Sequence, residues 1–146
     1  IDQIQMDQEA SYSVTEMALA EDSSRAVKEA MARAGMPDPA QCCVTDATAC
    51  VGGNTVNFAR HFGHVVAIEN DKVRAGMLRN NVKLLCGGPS LVTVHEADAL
   101  EKVPLVKQDV LFMDPPWGGE SYMNQDRVQL FLSGQSLSSV CNGFKG

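Results

Sequence analysis

Cys42-Cys43-Val44-Thr45-Asp46-Ala47-Thr48-Ala49-Cys50-Val51-Gly52-Gly53-Asn54-Thr55 reads as a strand, an acid, a glycine-rich turn and the start of a helix. Cys42 to Thr45 is an apolar run of the length of a buried strand, and Asp46 ends it. Small residues and two adjacent glycines follow. Val56, Ala59 and Phe62 then share one face, which predicts a helix over about 55–62. That order is the opening of a βαβ unit. Glycines let a ligand come close to the backbone, and a helix start offers N–H groups with no intrahelical partner.

The pattern continues outward from this unit. Val65-Val66-Ala67-Ile68-Glu69-Asn70-Asp71 predicts a second strand over 64–69 that ends in an acid sixteen positions after Gly53. A helix over 72–86 follows, with Asp71 as its N-cap and Gly87-Gly88-Pro89 as its stop. Leu91 to His95 predicts a third strand, with Ala97-Asp98-Ala99 beyond it, and residues 109–113 a fourth. Upstream, Thr15 to Ala34 carries helical spacing that ends at Gly35-Met36-Pro37-Asp38-Pro39, and the first strand spans about 41–46. A last helix is expected over roughly 126–139. Alternating strands and helices imply an α/β fold, a doubly wound parallel sheet with right-handed crossovers.

The turn after the first strand lacks the three spaced glycines of a dinucleotide site. An acid followed by small residues and glycines better suits S-adenosylmethionine. Asp46 is positioned to meet that donor's ammonium group, directly or through water. Glu69, at the end of the second strand, suits the ribose hydroxyls of an adenosine ligand. Asp98 follows the third strand and is either a contact to the adenine amino group or a loop-capping acid. Thr48, Asn54, Thr55, Asn70 and Ala99 complete the candidate donor-binding set.

Asp114-Pro115-Pro116-Trp117-Gly118-Gly119 follows the fourth strand, Val110-Leu111-Phe112-Met113. An acid, two prolines and an aromatic at a strand end suit methylation of a flat exocyclic amine, whose lone pair is delocalised into its ring. The Asp114 side chain can accept one amine N–H and the Pro115 carbonyl the other, which holds the nitrogen in line with a methyl donor. The prolines fix φ and carry no N–H, so carbonyls face the site. Trp117 offers a stacking face, with Pro116 and Tyr122 as further substrate contacts.

Composition bounds the class. The 146 residues can bury one core, read as a single domain. The first residues are acidic and polar rather than a secretory signal, and no apolar run has the length of a membrane span. Five cysteines without zinc spacing fit a reduced, intracellular protein, nuclear or cytoplasmic, and the three histidines have no partner at metal spacing. No metal is expected. Residues 1–22 hold six acids and no Lys or Arg, leaving twelve acids and twelve bases, so the net charge of -6 lies in that segment. This balance disfavours a long nucleic-acid footprint and allows a substrate gripped at one nucleotide. Lys72, Arg74, Arg79 and Lys83 are read as a solvated face of their helix.

These residues together resemble the class I S-adenosylmethionine-dependent methyltransferases. Within them the chain is most similar to the trimethylguanosine synthases, which methylate the N2 amine of the 7-methylguanosine cap of small RNAs. The likeness covers roughly residues 7–122. It rests on Asp7 to Thr15, Val51 to Ala59, Val66 to Asp71 with Arg79-Asn80-Asn81, and Pro115 to Gly119. It implies Ser13, Thr15, Gly52 and Gly53 near the donor, Trp117 stacked on the guanine, and capped RNA as partner. The family usually has Ser where this chain has Asp114, glycine where it has Cys50, and an aromatic near Ser11. Adenine N6 or ribosomal guanine N2 methylation, and a non-catalytic binding module, remain open alternatives. The class I fold has seven strands and four are read here. The expectation is therefore a sheet cut after its fourth strand: the N-terminal, donor-binding part of a methyltransferase domain, or a sheet completed by partner contacts.

Overall fold

The computed structural model describes residues 3–117 and 123–144. Four strands make one parallel sheet: β1 (Cys43–Asp46), β2 (His64–Glu69), β3 (Val92–Glu96) and β4 (Val110–Phe112), in the order β3-β2-β1-β4. Val44 of β1 lies opposite Val65 of β2 and Val110 of β4, and Ala67 of β2 opposite Val94 of β3. Residues 65–69 of β2 are all buried. Both faces of an inner parallel strand are covered, so it reads as a continuous apolar run rather than an alternating one.

Helices cover both faces. On one side α2 (Met17–Arg33), α3 (Gly53–His61) and α4 (Lys72–Cys86) pack on Val44, Val65, Ala67 and Val92 through Met31, Phe58, Leu78 and Val82. Phe58 is fully buried and meets Phe112 edge-on at 5.0 Å, which ties α3 to β4. Burial of one such side chain contributes about 1.5–3 kcal/mol. On the other side α5 (Ala99–Lys102) and α6 (Leu137–Gly143) pack on Val66 and Ile68 through Ala99 and Val140. Among the described residues no helix is long and apolar enough to cross a membrane.

The expected parallel sheet is observed, with one addition near the start of the chain and one departure near its end. The helix expected over 15–34 is α2, and a further short helix that was not expected, α1 (Gln8–Ser13), precedes it. Between them Val14 and Glu16 are extended, and Asp7 caps α1 through the Ala10 N–H. The helix expected over 126–139 is a hairpin, β5 (Phe131–Leu132) and β6 (Gln135–Ser136), followed by α6. Ser133 and Gly134 both have positive φ, 47° and 78°, as a two-residue hairpin turn of the mirror-image type requires. Val128, Leu130 and Leu132 recur every second residue, which is the strand period.

Candidate active site

The chain leaves β1 toward β2 and β3 on one side and returns to β4 on the other. In such sheets the crevice opens at the carboxyl ends of the strands flanking this reversal. Asp46 ends β1, Glu69 ends β2, and Asp114 follows β4. The sheet thus brings three carboxylates to one edge.

The glycine-rich loop after β1 is stitched to both neighbours of that strand. Ala47 N–H donates to the Phe112 carbonyl and Ala49 N–H to the Ile68 carbonyl, each at 3.0 Å. Glu69 then holds the turn: Oε2 accepts the Cys50 N–H at 3.0 Å and Oε1 the Asp71 N–H at 2.8 Å. Each carboxylate oxygen keeps a second lone pair for a ligand. Asp46 is 1% exposed, and its Oδ2 accepts the Thr55 hydroxyl at 2.6 Å. Burial pushes the Asp46 carboxyl up to about 6. The Thr55 and Thr48 hydrogen bonds oppose this shift, and the charges of Asp114 and Glu69 add to it.

The segment before α2 lies on the loop. A Cβ on Gly53 would come within 2.7 Å of the Thr15 carbonyl oxygen and 3.0 Å of the Thr15 nitrogen, so only glycine admits this contact. The Asn54 amide donates to the Thr15 hydroxyl at 2.8 Å, while its Oδ1 is buried with no hydrogen-bond partner among the described residues. Arg74 pairs with Glu9 at 2.8 Å and Asp7 at 3.5 Å, which fastens α1 to α4. Arg74 is therefore a clasp for the acidic N-terminal segment rather than part of a solvated face.

On the other side of β1, the Asp114 N–H donates to the Thr48 hydroxyl at 2.8 Å. The Asp114 carboxylate accepts the Trp117 indole N–H at 2.9 Å. Pro115 is buried, whereas Pro116 is exposed and Trp117 half-exposed. The loop after β4 is anchored at its first proline and leaves the indole half-exposed.

Other predicted residues take different places. Thr55 is fully buried and serves Asp46. Asp98 caps α5 through the Leu100 N–H at 2.7 Å and accepts the Ser133 hydroxyl at 2.5 Å, so the capping reading holds for it. Ala99 is buried in the second cluster, and Ser13 and Asn70 are exposed. Tyr122, Gly118 and Gly119 lie outside the described residues.

Sequence reasoning gave no role to Asn81. Its side chain is 2% exposed; it donates to the Val51 carbonyl at 2.9 Å and the Gln5 carbonyl at 2.8 Å, and accepts the Gln5 N–H at 2.8 Å. It thus joins the glycine-rich loop after β1 to Gln5 as a peptide group would. The signal available was a polar residue three positions after Leu78, on the buried face of α4.

Cys50 explains itself in the backbone. Its φ is +50°, a left-handed conformation in which a Cβ costs roughly 1–2 kcal/mol. Glycine removes that cost but gives the unfolded chain more freedom, by roughly 0.5–1 kcal/mol. Cys50→Gly is therefore expected to leave stability unchanged or raise it by about 1 kcal/mol, with donor affinity unchanged or improved. Thermal melting and calorimetry check this; a lower melting temperature with weaker binding would assign the thiol a packing or contact role.

Comparison with known proteins accords with this geometry. The sequence profile of a family described as RNA cap guanine-N2 methyltransferase matches residues 41–143. An uncharacterized protein of Acanthamoeba polyphaga mimivirus is 38% identical over 104 residues, 67% of this chain and 39% of that protein. Trimethylguanosine synthase of Schizosaccharomyces pombe is 33% identical over 84 residues, 54% of this chain and 35% of that protein. The chain thus spans under two fifths of the length of either. Precorrin-6y C5,15-methyltransferase from Geobacter metallireducens shares the fold, with a TM-score of 0.52 and 19% identity over 82% of this chain and 54% of that one. The matched stretch contains β1 with its glycine turn, the acid of β2 and the Asp-Pro-Pro-Trp loop after β4. The chain belongs to the RNA cap guanine-N2 methyltransferase family.

Proposed function

We propose that this chain supplies the donor-binding and reaction loops of an enzyme that methylates the exocyclic N2 amine of the 7-methylguanosine cap of an RNA. The observation that carries the reading is the position of Asp114-Pro115-Pro116-Trp117. It lies across the sheet reversal from Asp46 and Glu69, with the Asp114 carboxylate bonded to the indole.

S-adenosylmethionine, when bound, supplies an electrophilic methyl group on a positively charged sulfur. The residues fit that cationic donor: three carboxylates lie at the same end of the sheet, and the buried Asn54 Oδ1 at the start of α3, without a hydrogen-bond partner among the described residues, is a neutral acceptor. Asp46 would hold its ammonium group and Glu69 its ribose hydroxyls, over Gly52 and Gly53. Ser13, Thr15, Thr48 and Asn70 frame the same crevice in this reading. Asp114 and the Pro115 carbonyl accept the two amine N–H bonds, which orients the nitrogen lone pair toward the donor. The amine loses its proton after methylation has made it acidic, so Asp114 need not be a strong base. Trp117, with Pro116 and Tyr122, receives the base. Asp114 itself favours a second reading, the same chemistry on another nucleobase amine such as adenine N6.

Trp117→Ala tests the reading. In the full-length protein it is expected to weaken capped RNA binding by about 1–3 kcal/mol, the range for base–aromatic stacking. Uncapped RNA should lose less, because a cationic 7-methylguanine gains extra attraction from an indole face. Equal binding of both RNAs by variant and parent would contradict a cap site on this residue.

A further inference from the structure

We propose that Thr48 is a positioning residue that sets the reaction loop against the donor-side loop through one hydroxyl. The proposal rests on the reading of Asp114 as the amine acceptor.

Asp-Pro-Pro has a single main-chain donor, because proline carries no N–H. That donor, the Asp114 N–H, is given to the Thr48 hydroxyl at 2.8 Å. The β1–β4 pairing ends at Asp46 opposite Phe112, and Ala47 N–H still reaches the Phe112 carbonyl at 3.0 Å. Beyond that point the Thr48 hydroxyl takes the place of a strand carbonyl and keeps residue 114 in register past the end of the sheet. Thr48 also donates its own N–H to the Asp46 carboxylate at 3.4 Å. One residue therefore touches the acid proposed for the donor and the acid proposed for the acceptor. Its hydroxyl has one proton and two lone pairs, so accepting from Asp114 leaves it free to donate as well. In the proposed reading the two reactants are held by separate loops, and among the described residues the Thr48 hydroxyl is what accepts the Asp114 N–H from the donor side. A displacement of about 1 Å between reacting atoms costs on the order of 100-fold in rate.

Thr48→Val keeps shape and removes the acceptor. Thr48→Ser keeps the acceptor, and Thr48→Ala is the fallback if valine prevents folding. In the full-length protein, donor affinity is measured by calorimetry, kcat and KM on the nucleobase that the parent methylates, and exchange of the Asp114 amide by NMR. Thr48→Val is expected to speed exchange of that amide and to lower kcat by about 10–100-fold. Donor affinity should change by less than kcat does, and serine should restore most of the rate. Two results would overturn the proposal: an Asp114 amide as protected in Thr48→Val as in the parent, or an exposed amide with an unchanged kcat. A parent that methylates another nucleobase would contradict the cap reading alone, since these kinetics follow whichever base is used. If the parent methylates none, amide protection in the valine variant decides.

Discussion

Asp114→Ala in the full-length protein is expected to lower kcat by about 10²–10³-fold, comparable to removing one oriented group that stabilises developing charge. Donor affinity should be nearly unchanged. The carboxylate has two tasks in the proposed reaction. It accepts an amine N–H and so directs a lone pair that the ring otherwise withdraws, and it fixes the Trp117 indole through a 2.9 Å bond. Alanine removes both. Asp114→Asn keeps an acceptor oxygen and should recover much of the rate. Steady-state kinetics with calorimetry of donor binding separates these effects. Turnover of the alanine variant at the parent's rate would remove Asp114 from the chemistry.

Asp46→Asn is expected to trade donor binding for stability. The Asp46 carboxyl is buried, and its burial raises it to about 6, against about 3.9 in an unfolded chain. A folded-state value above the unfolded one means that the stabilising contribution is complete below about pH 4 and is lost as pH rises through about 6. At neutral pH the ionised group therefore costs the empty site roughly 2–3 kcal/mol. Asparagine avoids that cost and can still accept the Thr55 hydroxyl, though it gives up the long 3.4 Å contact from Thr48. The variant should melt higher than the parent at pH 7.5 and lose that advantage near pH 4. It should also bind the donor more weakly by about 1.5–3 kcal/mol, the scale of a hydrogen bond to a charged group. In the parent, donor affinity should fall as pH drops through about 6, whereas the variant's should not follow that titration. Thermal melts and calorimetry between about pH 4 and 8 test both halves. A variant that binds the donor like the parent would place the ammonium group elsewhere.

The contrast between these two acids shows what could be read from the sequence. Asp46, Glu69 and Asp114 each end an apolar run, and strand-end position is a one-dimensional property. The β2 span of 64–69 and the α4 span of 72–86 matched their expected limits, because an acid or a glycine marks each end. Partnership across the chain was less legible. Thr55 looked like a ligand contact but is buried against Asp46, nine residues away, through a helix turn that composition does not reveal. Asn81 meets Gln5 across 76 positions, and nothing local to either residue records that pairing. Residues 126–139 were misread because Val128, Leu130 and Leu132 fit a strand, while Ser133 and Gly134 make a turn only when both adopt positive φ. The Cys50 position had a visible anomaly, a side chain where the resembling family has glycine. Its backbone still adopts the glycine-like conformation at φ +50°.

The central claim is the acceptor. The full-length protein, given labelled S-adenosylmethionine, should be offered RNA with a 7-methylguanosine cap, the same RNA uncapped, and DNA. The product nucleosides should then be identified by mass spectrometry. The account predicts methyl groups on the N2 amine of the cap guanine alone, and a signal abolished by Asp114→Ala. Methylation of adenine, or of internal guanine with the cap untouched, would contradict it.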